Sequence, residues 1–195
     1  MLKFQQKRQS MLKLCSNSKT RADLLNSVNI PFYQKGCEFD EDSIPTKNPL
    51  EFVKLATIGK FNECLKCFGD DIPLLCADTV ITDGKNLIRK PKNVNDAKKL
   101  LLLQSNSKID IITYQIIGYK GKTFDNLSTT TYYFDKFDEN DLEKYLKSGK
   151  WKGSAGACKV EGFCKKYIKN VTGYESTAMG LTTEWVKKIY DIIAE

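Results

Sequence analysis

The spacing of apolar positions changes along the chain between a period of two and a period close to 3.6. Strand-like segments predict two long strands at 108–119 and 122–134, joined by a turn near Lys120-Gly121, and shorter strands at 11–15, 30–36 and 73–82, the last of them apolar enough to be buried. Helical spacing is present at 20–28, 49–68, 93–104, 138–148, 163–170 and 182–194. Strands mixed with helices, including an apparent hairpin, predict an α/β protein with a mixed sheet.

Two polar turns mark the starts of predicted helices. Asn48-Pro49-Leu50-Glu51 combines a capping residue, a proline at the first helical position and a glutamate three residues after the cap. Ser16-Asn17-Ser18 lies between the first strand and the first helix. A strand-to-helix turn of this kind points backbone N–H groups at whatever lies above it, which favours anions. The second turn is therefore a candidate anion site.

The length and composition are those of an ordinary globular protein. The chain has 195 residues, of which 41% are hydrophobic and 28% charged, and this favours one domain or two small lobes around a cleft. The longest apolar stretches fall far short of the ~20 residues that span a bilayer. We expect residues 1–10 to form a poorly ordered basic leader and residues 11–195 a single domain. The leader has no apolar segment typical of a secretory signal, so a cytoplasmic location is expected.

The chain contains no histidine, and this restricts its chemistry. This excludes catalysis by a Ser-His-Asp or Cys-His arrangement, and it excludes zinc ligated by histidine. Any general acid or base must therefore be a carboxylate, Lys, Tyr or Cys. The seven cysteines form no regular framework, and we expect reduced thiols. Cys64 and Cys67 have zinc or redox spacing, but they lie inside a predicted helix without a second pair, which favours simple packing. The net charge of +7 favours anionic partners.

Three segments carry side chains suited to a polyphosphate or a metal. Arg21 and the hydroxyls at 16–18 could hold phosphate oxygens, and the carboxylates at 38–42 could hold Mg²⁺. Asp78 lies in a strand predicted to be buried, where an unpaired carboxylate is costly. An ordinary helix cap and a solvated loop are the plain alternatives for the first two segments.

Two further segments allow more than one interpretation. Arg89-Lys90-Pro91 places two cations before a helix, although a surface basic pair is the commoner explanation. Small residues at 153–157 would let a ligand approach closely, and a tight turn is the plain alternative. Residues 147–169 contain seven lysines and one acid, with Trp151, Phe163 and Tyr167 interleaved. That stretch suits either nucleic-acid binding or a basic rim around a nucleotide pocket.

Taken together and in order, these segments resemble the Maf family of nucleoside triphosphate pyrophosphatases. The family's opening S-x-S-P-R-R-x-E-L-L corresponds to residues 16–25, and its acidic pair to Asp40-Glu41. Its L-A-x-x-K corresponds to Leu55-Ala56 with Lys60, and its G-A-D-T to Cys76-Ala77-Asp78-Thr79. Its D-G corresponds to Asp83-Gly84 and its G-K-P to Arg89-Lys90-Pro91. Its A-G corresponds to Ala155-Gly156 and its late G-L-P to Gly180-Leu181-Thr182. The resemblance covers about residues 11–190.

The resemblance implies an elongated mixed sheet flanked by helices, with two lobes around a deep cleft. It implies hydrolysis between the α and β phosphates with Mg²⁺ or Mn²⁺ as the cofactor, as a means of removing non-canonical nucleotides, and some members arrest septum formation. Asp78 would be the catalytic base, and Glu41 and Asp78 would hold the metal. The implied substrate-binding residues are Ser16, Thr20, Arg21, Lys60, Thr79, Lys90 and Glu161. A membrane or nucleic-acid partner is not implied, and a homodimer is left open.

The chain departs from the family pattern at several positions. Thr20 replaces the first Arg of the pair, Arg89 replaces the Gly of G-K-P, and Thr129 replaces a Lys that many members carry. Loss of two cations could weaken triphosphate binding or alter substrate choice.

One position bears on the preferred base. Members that act on thymidine or uridine triphosphate carry Gln where this chain has Glu161, and the branch that prefers 7-methyl-GTP carries Glu. A carboxylate suits the two donors of a guanine edge, whereas a carboxamide suits the mixed edge of uracil. Thr79, by contrast, matches the pyrimidine branch. A guanine-type base is the expectation.

Two other functions remain open from the sequence. A nucleotide-binding regulator of septation would have lost activity along with the cations at 20 and 129. A basic nucleic-acid-binding module would use residues 147–169, and its binding would depend on salt.

Overall fold

The structure is a computed structural model that describes residues 11–194. The basic leader predicted at 1–10 lies outside the described residues. The strands are β1 (Leu12–Leu14), β2 (Phe32–Gln34), β3 (Leu74–Thr82), β4 (Leu87–Ile88), β5 (Lys108–Tyr119), β6 (Lys122–Phe134) and β7 (Ile168–Thr172). The helices are α1 (Lys19–Ser27), α2 (Pro49–Phe68), α3 (Val94–Gln104), α4 (Glu139–Ser148), α5 (Glu175–Ala178) and α6 (Thr183–Ile193).

The seven strands form one mixed sheet, which confirms the predicted fold class. Its order is β2-β1-β3-β5-β6-β7, with β4 paired to β3. β1 runs parallel to both β2 and β3, whereas β3, β5, β6 and β7 pair antiparallel. The parallel edge places the end of β1 and the start of α1 beside β3, so the polar turn Ser16-Asn17-Ser18 lies near the part of β3 that carries Asp78.

The hydrophobic core forms three clusters that divide the molecule into two lobes. On one face, β1 and β3 pack against α1 and α6, and on the other face β3 and β5 pack against α2. At the far end of β5 and β6, a third cluster includes α3, α4 and Trp151. The long strands run through both lobes, so the cleft between the lobes opens on the middle of the sheet.

The helix starts follow the predicted capping chemistry. The side chain of Asn48 accepts a hydrogen bond from the backbone N–H of Glu51, with Pro49 at the first helical position. Ser18 caps α1 in the same way, since its hydroxyl accepts from the N–H of Arg21 at 3.4 Å. These caps fix where the two helices enter the sheet layer.

Two sequence predictions are wrong. The helix predicted over 163–170 is a 3-10 turn at Phe163–Tyr167 followed by β7, because Ile168 and Val171 find strand partners on β6. The expectation of reduced thiols fails for Cys158 and Cys164, which are joined in a disulfide. Among residues 11–194, no helix has the length and apolar character needed to cross a membrane.

Candidate functional site

A charged cavity of about 850 Å³ lies in the cleft between the lobes. Its walls come from the start of α1, the acidic loop before α2, the middle of β3, the segment between β4 and α3, and the turn before α6. The charged residues that line it are Arg21, Asp40, Glu41, Asp42, Lys60, Asp78, Arg89, Lys90 and Lys92. Segments far apart in sequence thus supply cations and carboxylates to one hollow.

A lysine lies between two carboxylates at the floor of this cavity. The Nζ of Lys60 is 2.6 Å from Oε1 of Glu41 and 3.0 Å from Oδ1 of Asp78. The Asp78 side chain is only 13% exposed, whereas that of Glu41 is 42% exposed. The ion pair with Lys60 therefore compensates the cost of holding the Asp78 carboxylate within the sheet.

Arg21 is fixed from three sides. Its Nε donates to the carbonyl of Gly180 at 2.9 Å, and its two terminal nitrogens donate to the hydroxyls of Ser16 and Thr79 at 3.1 and 3.4 Å. Burial lowers the pKa of Arg21, and the negative charge of Asp78 opposes that shift. The guanidinium is thus held in a single orientation at the cavity wall.

Thr113 completes the support of Thr79 and was missed by the sequence analysis. The Thr113 hydroxyl donates to the carbonyl of Thr177 at 2.7 Å, and it lies 2.8 Å from the hydroxyl of Thr79. Because the Thr113 hydroxyl already donates its one hydrogen to Thr177, the Thr79 hydroxyl donates to Thr113. The lone pairs of the Thr79 oxygen can then accept the hydrogen bond from Arg21. Thr113 lies on β5 directly opposite Thr79, and only the strand register shows this.

The acidic loop is positioned by a ring packed on a glycine. A Cβ added at Gly59 would lie 2.2 Å from the ring of Phe39, so the ring rests directly on the backbone of α2. Glu41 follows in a 3-10 turn capped by Asp40, and Asp42 pairs with Arg89 at 3.1 Å. The loop therefore delivers Glu41 to Lys60, which follows Gly59 on the same helix.

A second, more apolar cavity of about 540 Å³ adjoins the charged one. The two share the walls formed by Ser18, Thr20, Thr79, Lys90, Ala155, Ala178 and Met179. Glu161 lines the second cavity, together with Ile109, Ile111 and Tyr132. A polar and an apolar compartment side by side suit a ligand with a charged end and a flat apolar end.

The structure brings together most of the residues that the sequence singled out. Thr20, Arg21, Glu41, Lys60, Asp78, Thr79 and Lys90 all line the charged cavity, and Glu161 lines its neighbour. Ser16 is different: it does not line either cavity and instead accepts from Arg21, whereas Ser18 faces both. Thr129 lies on β6 opposite Ile112 and lines neither cavity.

The aromatic residues of the basic stretch 147–169 face the core. Trp151 is 5% exposed and donates its ring N–H to the carbonyl of Leu146. Phe163 stacks on Tyr145 with ring centroids 4.4 Å apart. Trp151, Phe163 and Tyr167 thus all contribute to the third core cluster.

Nearly the whole described chain matches a known family. Residues 11–191 match the family described as Maf-like protein. A protein from a Nitratiruptor species named nucleoside triphosphate pyrophosphatase is 49% identical over 181 residues, which cover 92% of this chain and 98% of that protein.

More distant relatives carry the same name. One from Helicobacter pylori is 36% identical over 89% of this chain and 91% of its own length. One from Campylobacter jejuni subsp. jejuni is 33% identical over 91% of this chain and 98% of its own length. Family and relatives agree over nearly the full length, so this chain belongs to the Maf family.

Proposed function

We propose that this protein hydrolyses nucleoside triphosphates between the α and β phosphates, releasing a nucleoside monophosphate and pyrophosphate. The observation that carries the proposal is the position of Asp78, a largely buried carboxylate in a cavity lined by Arg21, Lys60 and Lys90 and open to an apolar compartment. The names of its relatives support the same activity. The alternative of a nucleic-acid module is not favoured by the inward-facing rings of 147–169.

The reaction needs one proton acceptor at the α phosphorus. In the proposed step Asp78 accepts a proton from a water molecule, the water oxygen bonds to the α phosphorus, and the bond to the bridging oxygen breaks with pyrophosphate as the leaving group. Asp78 is the one carboxylate on β3 within the cavity wall, and its side chain is less exposed than that of Glu41 from the acidic loop. Its location between cations suits an attack on a negatively charged substrate.

The cations would place and neutralise the triphosphate. Phosphoryl transfer depends mainly on positioning and on stabilising charge at the phosphate oxygens. Arg21 presents its guanidinium from a fixed orientation, Lys60 is set at the cavity floor, and Lys90 is exposed at the wall that both cavities share. Thr20 and Thr79 add hydroxyls, and Ser16 would act indirectly by holding Arg21.

Glu41 and Asp78 fit a divalent cation. Their oxygens converge on one point, which the ammonium of Lys60 fills, and a site that already holds a cation between two carboxylates has the donors that Mg²⁺ or Mn²⁺ prefers. When bound, the metal would supply positive charge to the phosphates and to the attacking water. Lys60 would then turn from the carboxylates to the phosphates.

Glu161 would select the base from its place in the apolar cavity. Its two acceptor oxygens match the two donors of a guanine edge, and the apolar walls would cover the faces of the ring. We propose 7-methyl-GTP or a related guanine nucleotide as the preferred substrate. Arrest of septum formation, which some family members cause, stays a separate prediction.

A pyrophosphate-release panel tests the function. Purified protein is assayed with GTP, 7-methyl-GTP, dTTP and UTP, each with Mg²⁺, with Mn²⁺ and with excess chelator. We expect metal-dependent release of pyrophosphate, lost by at least about a hundredfold in Asp78→Asn. Asp71→Asn, an exposed carboxylate on a neighbouring loop, is the matched control and keeps full activity.

Either of two results would contradict the proposal. Unchanged turnover in Asp78→Asn would remove this residue from the chemistry. Nucleotide binding by calorimetry without pyrophosphate release from any triphosphate would instead favour the nucleotide-binding regulator.

A further inference from the structure

Five of the seven cysteines gather on one side of the sheet, beneath the charged cavity. Cys15 follows β1, Cys64 lies in α2 and Cys76 lies in β3, and the three Sγ atoms all lie within 4.8 Å of one another. Each of the three side chains is buried, with at most 5% of its surface exposed. Three elements that are far apart in sequence thus bring three thiols to one point.

A fourth thiol approaches the same point from the loop after β2. Cys37 packs against the apolar cluster that contains Cys15, Cys64 and Cys76, and its thiol interacts with those of both Cys64 and Cys67. The adjacent Gly36 donates its N–H to the side chain of Asn17 at 3.2 Å, which ties this loop to the segment after Cys15. Cys67, the fifth cysteine, is exposed one turn further along α2.

The spacing of the three buried thiols is close to that of a tetrahedral metal site. Zinc–sulfur bonds of ~2.3 Å place the sulfur atoms about 3.8 Å apart in a tetrahedron. The sulfurs of Cys15, Cys64 and Cys76 need to move by about 1 Å at most to reach that separation, which side-chain rotation can supply. Sulfur-only donors in a closed, buried site select zinc over magnesium or calcium.

A buried cation lies close to the thiol cluster. Lys13 is only 3% exposed, its ammonium lies over the ring of Tyr33, and its positive charge acts on the Cys15 thiol. A buried cation beside a buried thiol cluster would partly balance a zinc ion carrying four thiolates.

We propose that Cys15, Cys37, Cys64 and Cys76 bind one structural zinc ion. Each ligating thiol releases its proton to solvent and no redox change occurs. The site is separate from the Glu41–Asp78 pair, which offers only oxygen donors. Cys64 packs in the apolar core, as the sequence predicts. In the proposed site its partner ligands come from the segment after β1, the loop after β2 and β3 rather than from a second CxxC pair.

The zinc would brace the floor of the charged cavity. Cys64 follows Lys60 by one helical turn, and Cys76 precedes Asp78 by two residues on the same face of β3. The Cys64–Cys76 pair and the Lys60–Asp78 pair therefore both connect α2 to β3, at neighbouring positions along the two elements. A metal bound by the Cys64–Cys76 pair would hold α2 at a fixed distance from β3.

The test measures metal content directly. The full chain, produced with zinc in the medium and kept reduced with a phosphine, is desalted and analysed by mass spectrometry of metals. We expect about one zinc per wild-type chain and a loss of most of it in Cys37→Ser, a partly exposed position where folding is easily checked by circular dichroism. Cys67→Ser is the matched control and keeps its zinc, as does Asp78→Asn, which removes an oxygen ligand from the other site.

Cobalt provides a readout that needs no variant. Zinc-free wild-type protein titrated with Co²⁺ should develop a thiolate-to-metal charge-transfer band and intense tetrahedral bands, complete at one equivalent and abolished by zinc. Absence of both zinc and the cobalt bands in folded, reduced protein would overturn the proposal, and so would loss of zinc from Cys67→Ser with retention in Cys37→Ser. Neither measurement uses pyrophosphate release, so the zinc site and the proposed activity are tested independently of each other.

Discussion

Lys60 lies between Asp78 and Glu41 and is within 3.0 Å of both carboxylates. The helix α2 and the strand β3 are thus joined at the point where we propose that water is activated. The ammonium occupies the position that a divalent cation would take between the same oxygens. Lys60 and the metal should therefore compete for these carboxylates in the free protein.

Replacing Lys60 by Met should tighten metal binding and weaken substrate binding. Removal of the competing charge is expected to lower the dissociation constant for Mn²⁺ in the free protein by about tenfold, or ~1.4 kcal/mol. The KM for the triphosphate should rise because a phosphate ligand is lost. Isothermal titration with Mn²⁺ and steady-state kinetics measure the two effects. Lys66→Met, which breaks an exposed ion pair with Glu63 on the same helix, is the control. Weaker Mn²⁺ binding in Lys60→Met would contradict the proposed metal position.

Gly180 should be required for the orientation of Arg21. Its φ is +111°, and an added Cβ would lie 3.1 Å from Nε of Arg21, whose hydrogen bond goes to the Gly180 carbonyl. Gly180→Ala should therefore raise the KM for the triphosphate as well as destabilise the fold by about 1–2 kcal/mol.

A second glycine separates these two effects. Gly84 has a φ of +93° with nothing within 4 Å of an added Cβ, so Gly84→Ala carries a similar backbone strain without touching Arg21. We expect a comparable fall in melting temperature and an unchanged KM. Equal KM values in both variants would show that the Gly180–Arg21 contact does not position the substrate.

Glu161→Gln should shift the preference among bases toward pyrimidines. A carboxamide offers one donor and one acceptor, which matches the uracil or thymine edge better than the two donors of guanine. The ratio of kcat/KM for 7-methyl-GTP over dTTP is expected to fall by roughly ten- to a hundredfold. Glu175 lines the same cavity, and a larger shift in Glu175→Gln would assign base selection to that residue instead.

Restoring one missing cation should strengthen substrate binding, whereas restoring the other should not. Thr20 lines both cavities, so Thr20→Arg places a guanidinium beside Arg21 and should lower the KM for triphosphates by about three- to tenfold. Thr129 lines neither cavity, and Thr129→Lys should leave the KM unchanged. Steady-state pyrophosphate release over a range of substrate concentrations distinguishes the two variants. An improvement with Thr129→Lys alone would contradict the cavity assignment.

Local chemistry determined much of the fold in advance. The cap at Asn48 with Pro49 predicts α2, and the strand-forming residues of 108–134 with a turn near Lys120-Gly121 predict the central hairpin, because both signals act over a few residues. The short strands β4 and β7 were missed, since their pairing depends on partners on β3 and β6 rather than on their own sequence.

The sequence by itself determined which residues are chemically suited to a triphosphate: a carboxylate in a buried strand, an arginine at a helix start, and an acidic loop. Only the tertiary structure decided which of them meet. Strand register placed Thr113 behind Thr79, and the turn before α6 brought the carbonyl of Gly180 to Arg21. The packing of α2 on β3 and β5 brought together cysteines with no recognisable spacing. The physical reason is that metal and substrate sites depend on distances through space, which spacing along a chain fixes only within a single helix or strand.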